Sequence, residues 1–175
     1  MIQIKNAAEL QKMRKACAIS AAALKAGGEA IEPGITTAEI DKIIYDFIVR
    51  HGARPNFLHL YGFPATACIS VNDTVIHGIP SKQQQIRPGD IVSIDTGCKI
   101  DGFNGDNACT YGCGKLDLEA QRLLDVTKES LHRGIEMARG GNRVGDIGHA
   151  VQTYVEENGF SVVRTFVGHG VGKEL

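Results

Sequence analysis

Residues 95–106 read DTGCKIDGFNGD, an aspartate at each end, and they follow the apolar run IVSI at 91–94. A β-rich run entering KIDG predicts a hairpin with its turn at 99–102. If the turn centres on Ile100-Asp101, Asp95 and Asp106 lie directly opposite. If it centres on Asp101-Gly102, they lie one diagonal step apart. Either spacing keeps both side chains on one face, because strands alternate with period two, and only a bulge would break that parity. Two readings follow: a surface hairpin with solvated carboxylates, or half of an oxygen-rich metal site. Like charges facing across a sheet repel unless a cation lies between them. Asp95 also leaves an apolar run for a partly buried setting, where an unpaired carboxylate is costly.

The chain around this hairpin has 175 residues, enough for one domain with a real core and short for two. It is 43% hydrophobic and 22% charged with a formal net charge of -1, which gives no electrostatic pull toward nucleic acid or an anionic membrane. The five cysteines are odd in number and lack a close CxxC pair, so free thiols in a reducing, cytoplasmic setting are expected. The charged start MIQIKNAAELQKMRKA has no signal-peptide run, and no apolar stretch approaches a membrane span. Glycine is over-represented at 21 residues, clustered at 97–114, 134–148 and 159–172, which points to turns and close backbone approach.

Four helices are expected. The first covers 7–27, with a capping box at Asn6 to Glu9 and a stop at Gly27-Gly28. The second is capped by Thr36 with Glu39 three residues on. It carries Ile40, Ile43, Ile44, Phe47 and Ile48 on one face and stops at His51-Gly52. The third and fourth cover about 117–138 and 144–158. Short β runs occupy TACISVNDTVIHGI and DIVSIDTG, and the tail FSVVRTFVGHGVGKEL begins as a strand before its glycines.

A shift of 107 residues superposes Gly34 on Gly141, Glu39 on Asp146, Ile40 on Ile147, Ile44 on Val151 and Gly52 on Gly159. Two amphipathic helices can align this well without common ancestry. The sharper reading is a duplicated unit, with nearly 60 residues after its second helix in the first copy and 16 in the second, so that the sequence ends inside its second half.

His169, in VGHGVG, is a candidate ligand or a histidine of a mobile loop. His77, in VIHGIP, is a candidate contact residue or a satisfied turn histidine. Two aspartates with a histidine form a mixed nitrogen and oxygen set suited to Mn, Fe, Co or Zn, and three ligands are too few for a paired-metal centre. Cys98, Cys109 and Cys113 lack the paired spacings of structural zinc sites and are expected to be non-ligands. No phosphate loop, G-x-S-x-G elbow or HExxH is present, and Lys12, Arg14 and Lys15 make only a small basic face.

Together CISVNDTVIHGIP at 68–80, RPGDIVSIDTG at 87–97, DGFNGD at 101–106 and VVRTFVGHGVG at 162–172 resemble type I methionine aminopeptidases over essentially the whole chain. The resemblance implies an α/β (α+β) pita-bread fold: two pseudo-symmetric halves, each an antiparallel sheet backed by helices, around two divalent metal ions. It implies one catalytic domain over 1–175, with a first half at about 1–113 and the start of a second at about 114–175. The implied activity is removal of the initiator methionine from new proteins when the next residue is small. Family ligands match at Asp95, Asp106 and His169. His77 matches a histidine that contacts substrate without binding metal, and Phe63 and Cys68 match the wall of the methionine pocket, Phe63 in a place often held by tyrosine. Two family glutamate ligands and a second catalytic histidine have no counterpart, so the resemblance implies three of five ligands, weak metal binding and little turnover by this chain. Implied partners are a nascent-chain N-terminus and, transiently, the ribosome; the parent is expected to be monomeric, while an open sheet edge suggests self-association of this 175-residue chain. Rival readings are a non-catalytic binding module of the same fold and another peptidase of that fold, such as a proline-directed one.

Overall fold

The computed structural model describes residues 3–175. Helix α1 (Ala7–Glu29) starts at Asn6, whose side chain accepts the Glu9 amide while the Glu9 carboxylate accepts the Asn6 amide. It does not stop at Gly27-Gly28 but runs through both. A Cβ on Gly27 would lie 2.7 Å from Ile44 Cδ1, and one on Gly28 would lie 2.2 Å from Tyr111 Cζ. These glycines serve close approach inside a helix, and packing overrides their low helix propensity. Helix α2 (Thr37–Arg50) opens on the Thr36 and Glu39 box and closes at His51, with Gly52 at φ 71, as the sequence predicts. Ile40, Ile44 and Ile48 are fully buried along its apolar face.

Four antiparallel strands follow: β1 (Arg54–Pro55), β2 (Ala67–Val71), β3 (Ile91–Ile100) and β4 (Phe103–Gly112). β4 runs along the whole of β3, so β1 and β2 share the other edge of β3. The residues alternate as period two requires. Val92, Ile94 and Cys98 of β3, with Ala67, Ile69 and Val71 of β2, join Leu24, Ile40, Ile44 and Ile48 in one buried cluster. Ser20 Oγ donates to the Thr96 carbonyl at 2.9 Å and fixes α1 on this face.

One expected strand is shorter than the sequence predicts and one is absent. The β run at 66–79 ends at Val71, because Asn72 turns left-handed at φ 54. The tail from Phe160 forms no strand; residues 160–167 pair with no strand among the described residues, and an isolated extended segment has nothing to stabilise it. Gly172 instead accepts from Asn104 through both its amide (2.8 Å) and its side chain (3.1 Å), and Lys173 Nζ reaches Glu9 at 2.9 Å.

The described residues up to Leu116, with Gly170–Leu175, form one compact unit, and Asp117–His169 form another. The second holds α3 (Leu118–Met137), capped by Asp117, and α4 (Val144–Glu157). Their bounds match the expected helices, and among the described residues no helix is long and apolar enough to cross a membrane.

The 107-residue shift survives in three dimensions. It carries α2 onto α4 end for end (37 to 144, 50 to 157). Gly34 and Gly141 share φ values of 96 and 98, and Gly52 and Gly159 share 71 and 79. Gly27 lies against Ile44 and Ile40; its counterpart Gly134 lies against Val151 and Ile147, the shifted pair. Unrelated amphipathic helices would not cross at the same glycine against the same two positions. Duplication is the reading these contacts support.

Candidate functional site

The hairpin turn centres on Asp101-Gly102, both left-handed at φ 53 and 82, as a two-residue turn of right-handed strands requires. The pairing runs from Ile100 opposite Phe103 to Ile91 opposite Gly112 with no bulge. Asp95 therefore faces Ala108, and Asp106 faces Gly97, which is the diagonal of the two expected geometries. The two carboxylates share one face, the one turned away from α1, and both are half-buried. Their Cα atoms are about 7–8 Å apart by the geometry of diagonal pairs, with Cβ atoms closer.

Cys68 lies directly opposite Asp95 from β2 and so belongs to the same face. Its thiol is pushed up to about 12, first by burial and then by the charges of Asp95, Asp106 and Asp41. At neutral pH it is an uncharged, polarizable group on this face. Cys98, three residues beyond Asp95, points to the helix side, where burial and then Cys17 push it up to about 11 and its Sγ donates to the Ala16 carbonyl. All five cysteines are free thiols.

Next along the face, Ser70, Ser93 and Thr110 form a cross-strand row of hydroxyls, Ser93 and Thr110 bonded at 2.8 Å. Asn56 lies above Gly97, where a Cβ would be 3.1 Å from its Nδ2, and that buried Nδ2 has no hydrogen-bond partner. A buried donor without a partner beside two carboxylates is a candidate substrate contact. No spacing in the sequence marks it.

His77 is exposed on the loop after β2, left-handed at φ 57. Phe63 is half-buried where the 3-10 turn Leu60–Gly62 ends. His169 is exposed in the second unit, on an irregular segment. Among the described residues no group of three or more His, Cys, Asp or Glu side chains is placed to hold a metal ion. The structure thus unites Asp95, Asp106 and Cys68 on one face. Two carboxylates there offer hard oxygen donors that fit a divalent cation.

Asp41 of α2 supports this face from behind. Its Oδ1 accepts the amides of Thr66 (2.9 Å) and Ala67 (2.8 Å), the residues that lead into Cys68. Burial outweighs those bonds and raises its carboxyl above the ordinary range. A carboxyl raised in the folded state contributes stability that is fully present below its unfolded pKa and lost as pH rises through the folded one. Asp41→Asn keeps the acceptor without the charge. Its unfolding free energy relative to wild type should therefore shift in the variant's favour as pH rises from about 3 to 7, in paired urea titrations. A flat or opposite difference would refute the assignment.

Residues 11–175 match metallopeptidase family M24. The methionine aminopeptidase of Clostridium perfringens is 51% identical over all 175 residues, which span 70% of that relative. Methionine aminopeptidase 1 of Bacillus subtilis is 46% identical over the same span and share. The crystal structure of methionine aminopeptidase from Thermotoga maritima superposes with TM-score 0.97 at 40% identity, covering 99% of this chain and 70% of that one. Prolidase from Pyrococcus furiosus shares the fold at TM-score 0.84 and 24% identity.

Proposed function

The chain belongs to metallopeptidase family M24 and, within it, to the methionine aminopeptidases; from that premise we propose that the Asp95 and Asp106 face is the metal-binding floor of a site that removes N-terminal methionine from peptides. The fold is the pita-bread arrangement of antiparallel sheet backed by helices. The observation that carries the reading is the placing of Asp95 and Asp106 on one face of an unbulged hairpin, beside a neutral thiol. The proposed roles are metal ligands for Asp95, Asp106 and His169, a substrate contact for His77, and walls of the methionine pocket for Phe63 and Cys68. The substrate is the N-terminus of a new chain whose second residue is small, and the setting is cytoplasmic.

When bound, two divalent ions of the Co, Mn, Fe or Zn type polarise the scissile carbonyl and lower the pKa of a water. The chain's own residues supply the rest. The aspartates hold negative charge where cations must collect. Buried Cys68 offers a polarizable apolar contact for a thioether. Exposed His77 carries ring nitrogens that can donate to a peptide carbonyl. A non-catalytic module of the same fold would have no use for both carboxylates on this face. A proline-directed peptidase gains nothing from the prolidase likeness, which shows the fold alone.

The test is release of methionine from Met-Ala-Ser by the 175-residue chain, with metal binding followed by calorimetry. Only three of the five family ligands have a match, so release is expected to be slow and binding weak. Any release should need added cobalt or manganese and vanish in Asp95→Ala. Metal-independent release, or no metal binding at all, would defeat the reading, and submicromolar binding of two metals would show the ligand set to be complete.

A further inference from the structure

The loop after β2 is fastened at both ends and displays its middle. At its start Asn72 makes two bonds to the Ile91 backbone, its side-chain Oδ1 accepting the Ile91 amide and its own amide donating to the Ile91 carbonyl, both at 3.0 Å. Its Nδ2 donates to Asp90 at 2.9 Å. At the far end Gly78 is bonded twice to β2: its amide donates to Ser70 Oγ at 3.1 Å, and its carbonyl accepts the Ile69 amide at 2.9 Å. The approach is so close that a Cβ on Gly78 would lie 2.1 Å from the Ile69 carbonyl oxygen. Between these anchors Val75, Ile76 and His77 face solvent, and His77 keeps a left-handed φ of 57 that a side chain disfavours. Such a conformation persists only where its surroundings over-determine it. Ser70 is buried, and it lies on the Cys68 and Asp95 face.

We propose that Ser70 is a positioning residue for His77: its hydroxyl holds the Gly78 amide and so fixes the left-handed turn that presents the imidazole beside the carboxylate face. The peptide role of His77 rests on the function proposed above; the clamp itself does not. Ile69 supplies one bond through its backbone, which no substitution of its side chain removes, so the Ser70 hydroxyl is the one component of the clamp that a variant can delete.

NMR of the full chain tests this in wild type, Ser70→Ala and Ser70→Thr. In Ser70→Ala the Gly78 amide should exchange roughly tenfold faster relative to the Ile94 amide, the scale of one lost hydrogen bond. The Cα and Cβ shifts of His77 should move from left-handed toward extended values, and Ser70→Thr, which keeps the hydroxyl, should restore both. An unchanged exchange ratio, or Gly78 and Ile94 accelerating together, overturns the clamp. Titration with Met-Ala-Ser separates the two claims. The His77 ring signals of wild type should respond, and Ser70→Ala should need several times more peptide. A wild-type His77 that ignores the peptide overturns its substrate role, while the exchange ratio alone decides the clamp.

Discussion

Gly105→Ala is expected to destabilise the chain by about 3 kcal/mol, and to lower the melting midpoint by roughly 6–12 °C for a chain of this size. Gly105 lies opposite Cys98 on the helix-facing side of the hairpin. The α1 backbone rests directly on it: a Cβ there would lie 2.5 Å from both C and O of Ala16 and 2.6 Å from the Cys17 amide nitrogen. All three atoms are backbone, so no side chain can rotate away, and α1 must lift off the sheet or β4 must bend. Lifting α1 also breaks the Ser20 bond to Thr96 and the Cys98 bond to Ala16. Gly148→Ala is the control. It lies within α4 with no atom near its added methyl, and helix propensity predicts a neutral effect or a gain of up to about 1 kcal/mol. Thermal and urea unfolding of both variants decides the matter. A Gly105→Ala midpoint indistinguishable from wild type would mean that α1 does not rest on the hairpin.

That same glycine shows what was legible in the sequence and what was not. Strand parity is legible because it depends only on counting: any unbulged hairpin with an even-numbered turn puts Asp95 and Asp106 on one face. The choice between opposite and diagonal pairing waited on the φ values of Asp101 and Gly102. Capping boxes at Asn6 and Thr36 are local and read correctly, because donor and acceptor lie three residues apart. Gly27 and Gly28 were misleading, because a glycine that ends a helix and one that admits Ile44 or Tyr111 look alike until the partner is known. The tail strand failed for a related reason. Its β-branched residues state a preference, but a strand also needs a neighbour. Asn56 and Ser70 were invisible for a third reason. Their importance lies in what stands over them, at separations in sequence that no motif spans.

Asp95→Asn is expected to remove most of the stabilisation that a divalent metal gives the wild-type chain. The substitution keeps the shape of the side chain and removes the charge of one carboxylate from a pair set one diagonal step apart, the pair proposed to hold the metal. With manganese at about 100 times its wild-type Kd, the folded state gains about 2.7 kcal/mol by mass action. If losing the carboxylate weakens binding about a hundredfold, the same concentration gives the variant only about 0.4 kcal/mol. Asp106→Asn should behave alike. The double variant should be little worse than either single one, because each alone already breaks the shared site and such losses do not add. Asp73→Asn makes the same charge change on an exposed turn and should retain the full metal response. Melting curves with and without metal read all four variants on one scale, independently of turnover. Equal metal shifts in wild type, Asp95→Asn and Asp106→Asn would return the two aspartates to the solvated-hairpin reading. Their shared face would then be only a consequence of strand parity.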